Sequence, residues 1–156
     1  MRQLITSDFN RLKSHVVYFR GGHPCDDGSL YTLKPPYSVI INTDNHNKPG
    51  QHWVGVYIDS ERMFFADSFG RSAWDESFPV DFRKTLKRLS LGRRLIYNPK
   101  LVQSLTSNAC AYHCMYVLDR LSLNKSIREI YRVFDDDLSA NDSFVVKYYN
   151  MNFVGE

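Results

Sequence analysis

The sequence predicts an α+β fold, a small mixed sheet with helices packed against it, and three observations carry that expectation. Short runs dense in β-branched and aromatic residues cluster between residues 37 and 67. Helical periodicity appears in separate segments after Pro79. The strand candidates are apolar at consecutive positions, which predicts a sheet covered on both faces. With 156 residues, 43% hydrophobic and 14% aromatic, the chain can build one core, and residues 1–156 read as a single domain.

The N-terminal stretch MRQLITSDFNRLKSHVV carries Arg2, Asp8, Arg11 and Lys13 and lacks the apolar run and small-residue site of a signal peptide. GGHPCDDGS (21–29) and NTDNHNKPG (42–50) read as loops. YSVIIN (37–42) reads as a buried strand, and WVGVYI (53–58) and MFFAD (63–67), separated by a polar stretch, read as a hairpin. RRLIYN (93–98) is a fourth strand candidate. Helices are expected after Pro79, where Phe82, Leu86 and Leu89 share a face, and after Ser126, which with Glu129 has the form of a capping box. A third helix is expected after Cys110, with Ala111, Cys114, Met115, Leu118 and Leu121 on one stripe.

Twenty Lys and Arg against 17 Asp and Glu give a net charge of +3, which permits an acidic partner without requiring one. No apolar run is long enough to span a bilayer. The cysteines, Cys25, Cys110 and Cys114, are odd in number, and the last two are helix neighbours rather than staples. A soluble chain in a reducing, intracellular compartment is expected. HPC and HC, the spacings of His23 with Cys25 and His113 with Cys114, are not those of a structural zinc site, so no metal is expected.

If the hairpin turn is centred between Asp59 and Ser60, His52 lies directly opposite Asp67. A carboxylate that accepts from one imidazole nitrogen leaves the other free as a base. Cys110 at the start of a helix feels the positive end of the macrodipole, and a nearby imidazolium favours its thiolate further. An oxyanion formed by thiolate attack needs donors, which the Cys110 amide and the Gln103 side chain can supply across the loop SLTSNA. Taken singly, Cys110 reads as a packed small hydrophobe and Asp67 as a turn residue; the joint arrangement points to nucleophilic catalysis.

KPGQHWVGVYID, MFFADSFG and VQSLTSNACAYHC, with YFRGG and VIINTD upstream, resemble the adenovirus-type cysteine proteases (adenain), including the forms of Polinton and Maverick elements and, more distantly, the SUMO proteases. The resemblance spans about Tyr18 to Leu118. It implies a papain-like fold with the nucleophile Cys110 opening a central helix, His52 as base, Asp67 as its orienter, Gln103 as oxyanion donor and Trp53 packing against His52 to narrow the cleft. It also implies viral or transposon-encoded precursor proteins as substrates, cut after Gly in small-residue contexts. A protease for ubiquitin-like modifiers and a non-catalytic module keeping the cleft are the alternatives.

The family generally has Gly where this chain has Ala111, which is expected to tighten the space near the scissile bond. Adenovirus enzymes carry Glu where Asp67 stands. No cysteine lies between Asp67 and Cys110, so an activating viral peptide tethered there by a disulfide is not expected. The chemistry itself requires no cofactor. DNA is an expected partner by resemblance, on the basic run Arg83, Lys84, Lys87, Arg88, Arg93 and Arg94, in a monomer acting in the host nucleus and virion.

Overall fold

In the computed structural model, which describes residues 1–47 and 52–154, five strands form one mixed sheet. They are β1 (Phe19–Pro24), β2 (Tyr37–Asn42), β3 (Trp53–Ile58), β4 (Arg62–Ala66) and β5 (Arg94–Tyr97), side by side in chain order. The outer pairs are parallel and the inner pairs antiparallel. The expected α+β fold, with its mixed sheet and helices, is borne out.

Both sheet faces are apolar because both are covered. Val54, Val56, Ile58, Met63 and Phe65 face a core closed by α2 (Val80–Leu89) and a 3-10 turn (Gly28–Thr32), through Phe78, Phe82, Leu86 and Leu30. Ile40, Phe64 and Ala66 face the other core, built from α1 (Thr6–Leu12), α3 (Cys110–Ser122), α4 (Ile127–Tyr131) and α5 (Leu138–Tyr149). The close approach of α3 to β3 depends on Gly55, where a Cβ would lie 3.3 Å from the Leu118 side chain.

Two of the expected helix starts appear as read. Cys110 is the first residue of α3, and the Ser126 hydroxyl accepts from Glu129 N at 3.1 Å in a capping box. Pro79 precedes α2 as its cap instead of occupying its first turn. The expected stripe on α3 is too narrow, since Tyr112, His113, Tyr116 and Val117 are buried as well. β1 corrects the reading of residues 21–29 as a loop: the strand FRGGHP lies at the sheet edge, where a proline disturbs no ladder on its outer side. Residues 43–47 form the expected loop after β2, and residues 48–50 of that reading lie outside the described residues.

After β4 the chain turns sharply, with Gly70 N donating to Asp67 O at 2.9 Å. Gly70 has φ +76°, and a Cβ there would lie 2.5 Å from the Pro99 carbonyl oxygen. Backbone cannot yield as a flexible side chain does, so Gly70→Ala is expected to destabilise the fold by about 1–3 kcal/mol. Urea unfolding measures this, and a parental midpoint would show that the turn tolerates a side chain.

Candidate active site

His52 directly precedes β3 and Asp67 directly follows β4, so the hairpin brings them together at one end of the sheet. Its register differs from the expected one. Gly55 pairs with Ala66 and Ile58 with Met63, which centres the turn between Ser60 and Glu61. His52 is therefore diagonal to Asp67 instead of directly opposite. A slip of two residues preserves the face, and the contact survives: His52 Nε2 donates to Asp67 Oδ1 at 2.7 Å. With Nε2 committed to the carboxylate, Nδ1 is the ring atom left to the Cys110 thiol, the other group whose interaction raises the imidazole's pKa.

Burial disfavours charge on all three groups, and their partners outweigh it. Burial alone would lower the His52 pKa, but its bonds to Asp67 and Cys110 and the charges there raise it to about 9. Burial would raise that of Asp67, yet His52 and Arg71 hold it below the usual carboxylate range. Cys110 is likewise opposed by burial, and His52, with the backbone of Trp53 and Ala111, brings its pKa below that of a free thiol. The arrangement favours a thiolate–imidazolium pair.

Sequence reasoning missed Arg71. Its backbone N and Nε donate to Asp67 Oδ2 at 3.1 and 2.8 Å, and its guanidinium lies 4.0 Å over the Phe78 ring. The available signal was an arginine four residues after the candidate acid, at the exit of a glycine turn. Phe69 was missed too: its ring stacks on His52 with centroids 4.9 Å apart. Trp53, expected against His52, instead meets Phe9 edge-on at 4.9 Å, because consecutive residues of an extended chain point to opposite sides.

Gln103 is buried ahead of α3. Its Oε1 accepts from the Ser68 hydroxyl, and its Nε2 donates to Ser107 O at 3.0 Å and, more weakly, to Ser107 Oγ at 3.3 Å. Ala111 is buried in the core that α3 closes. Cys114 is fully desolvated and its pKa is raised, and Cys25 is pushed up to about 11 by burial.

The basic run is divided. Arg93 is tied to Asp59 O at 2.8 Å and Leu89 O at 3.2 Å, Arg83 to Phe78 O at 3.1 Å, and Arg88 lies 3.7 Å over the Tyr31 ring. Lys84, Lys87 and Arg94 are exposed. No helix among the described residues is long and apolar enough to cross a membrane.

The curated relatives are viral proteases, in keeping with the adenovirus-type group that the motifs resemble. The chain is 29% identical over 91 residues to R355 of Acanthamoeba polyphaga mimivirus, named as a thiol protease, covering 54% of this chain and 30% of that protein. It is 29% identical over 117 residues to the protease of Bovine adenovirus 4, covering 67% of this chain and 57% of that one. The chain thus spans less than two thirds of either relative. The crystal structure of the ASFV pS273R protease matches with a TM-score of 0.49 and 16% identity, over 70% of this chain and 42% of that one, a likeness too loose to argue from. No family model matches.

The opposed thiol shifts predict selective alkylation. Iodoacetamide at pH 7 is expected to modify Cys110 ahead of Cys25 and Cys114 in the folded chain, as read by peptide mapping. Modification of Cys25 first would remove the basis for treating Cys110 as activated.

Proposed function

We propose that the chain is a cysteine endopeptidase with Cys110 as nucleophile, His52 as acid and base, Asp67 as orienting carboxylate and Gln103 as oxyanion donor. One observation carries the reading: a single imidazole is held between a buried carboxylate and a thiol at the first residue of a helix. The viral proteases among the relatives support it.

The Cys110 thiolate attacks the scissile carbonyl carbon, the C–S bond forms, and the carbonyl electron pair moves to oxygen. The Cys110 N–H, which at the first helical position has no intrahelical acceptor, donates to that oxyanion. Gln103 Nε2 supplies a second hydrogen, exchanging its weak 3.3 Å contact with Ser107 Oγ for the developing charge. Collapse breaks the C–N bond as imidazolium Nδ1 gives its proton to the leaving amine. His52 then takes a proton from water, which attacks the thioester; the C–S bond breaks, and the thiolate and imidazolium return.

The substrates are viral or transposon-encoded precursor proteins cut after Gly, a preference taken from the family resemblance. A DNA contact belongs to the exposed cations Lys84, Lys87 and Arg94 rather than to the structurally tied Arg93.

A fluorogenic peptide with Gly before the scissile bond tests the reading. Cys110→Ala is expected to abolish turnover, and Gln103→Ala to lower kcat on the order of a hundredfold with KM little changed, the usual effect of losing one such donor. Raised KM with unchanged kcat would move Gln103 to substrate binding. Turnover by Cys110→Ala would sink the proposal.

The alkaline limb of the kcat/KM profile is expected near pH 9, where the imidazolium loses its proton. Asp67 raises that pKa, so Asp67→Asn is expected to move the limb to lower pH and reduce the maximum. An unmoved limb would show that the carboxylate does not govern His52.

A further inference from the structure

His113 lies one turn into α3 from Cys110 and is buried beside the Phe134 ring, at a centroid distance of 5.5 Å. Phe or Leu would fill such a place without hydrogen-bonding needs. The imidazole instead donates from Nε2 to Asp142 Oδ1 at 2.9 Å, reaching across to α5, and its Nδ1 has no partner among the described residues. The pair carries the desolvation of a buried carboxylate and imidazole.

The same Asp142 Oδ1 accepts from Ser104 N at 3.4 Å. Ser104 follows Gln103, whose backbone N and that of Val102 donate to Ser68 O at 3.2 and 2.9 Å. The Gln103 loop is thus fastened on one side to the residue after Asp67, and on the other, through Asp142 and His113, to the helix that begins with Cys110. We propose that His113 and Asp142 are positioning residues, which hold the 103–107 loop so that the Gln103 amide is set relative to the Cys110 sulfur. The proposal rests on the oxyanion role of Gln103.

Both contacts converge on Oδ1, an atom that asparagine also offers. Asp142→Asn is therefore expected to keep kcat within about twofold of the parent, whereas Asp142→Leu loses both acceptor contacts. Because a single apolar change strands a buried side-chain partner, the decisive variant is the double replacement His113→Phe with Asp142→Leu, which leaves neither the imidazole nor the carboxylate unpaired and frees only Ser104 N of the loop. It is expected to retain the parental melting temperature and the parental rate of Cys110 alkylation by iodoacetamide, a reaction that forms no oxyanion. Its kcat on the Gly-containing fluorogenic peptide is expected to fall about tenfold or more with KM unchanged. In that background Gln103→Ala should cost much less than it does alone, because the two changes remove one function.

Parental kcat in the double variant, or a full additional loss from Gln103→Ala, would overturn the proposal and leave the oxyanion reading standing. Parental kcat for Gln103→Ala in the otherwise unaltered chain would instead sink the oxyanion reading.

Discussion

A carboxylate withdrawn from water must be surrounded by donors, and the end of the sheet is organised around meeting that demand at Asp67. Its side chain is fully shielded, and an uncompensated charge there would cost several kcal/mol. The chain wraps its next four residues back over the carboxylate so that Arg71 donates from both backbone and guanidinium. That path requires the left-handed turn at Gly70 and seats the guanidinium on Phe78, itself in edge-on contact with Phe65 of the core. The other carboxylate oxygen, which Arg71 touches only weakly at 3.4 Å, is the one that orients His52.

Ser68, the neighbour of Asp67 in the turn that follows β4, serves a different partner. Ser68 turns to the 102–107 segment, accepting from Val102 N and Gln103 N through its carbonyl and donating to Gln103 Oε1 through its hydroxyl. The Ser107 carbonyl assigns the amide: it can only accept, so the end that faces it is Nε2, and Oε1 is left to the Ser68 hydroxyl. One dipeptide therefore aligns both the acid behind His52 and the glutamine ahead of Cys110. The relative placement of these groups follows from the turn after β4 and from the bonds that Asp67 and Ser68 make on leaving it.

The legible part of this was the part governed by local chemistry. The strands at 37–42 and 53–58, the Ser126 cap and the start of α3 at Cys110 were readable because apolar runs and caps act within a few residues. The pairing of His52 with Asp67 was readable even through a wrong turn centre, since a register error of two residues leaves side-chain faces unchanged. β1 was hidden because two glycines and a proline carry no strand signal and its pairing with β2 is non-local. α5 was hidden because its two valines and its buried Asn141 and Asp142 blur the apolar period, and only the folded chain gives those polar groups a reason, Asn141 bonding the Asp135 backbone and Asp142 reaching His113 of α3. The stacking partner of His52 was misjudged for a geometric reason: Trp53 is adjacent in sequence and points to the other side, whereas the register of the hairpin, continued past its strands, brings Phe69 across from the ring.

The contrast between Cys110 and Cys114 shows what activates a thiol here. Both lie on α3 within one turn, and burial opposes ionisation of both, yet the pKa of the first falls and that of the second rises. A helix N-terminus contributes about 0.3–1 kcal/mol to a nearby anion, less than one pKa unit, which alone leaves a buried thiol protonated at neutral pH. The difference is the imidazole: Cys110 meets His52, whereas Cys114 meets the Trp53 carbonyl at 3.4 Å, an acceptor that favours the protonated thiol. His52 in turn can carry its charge while buried only because Asp67 is ionised behind it, and Asp67 is ionised because His52 and Arg71 face it. Charge at the site is therefore a property of the chain of partners rather than of any one residue. Their protons come off as a coupled set, and removing one member returns its neighbours toward the neutral forms that burial favours.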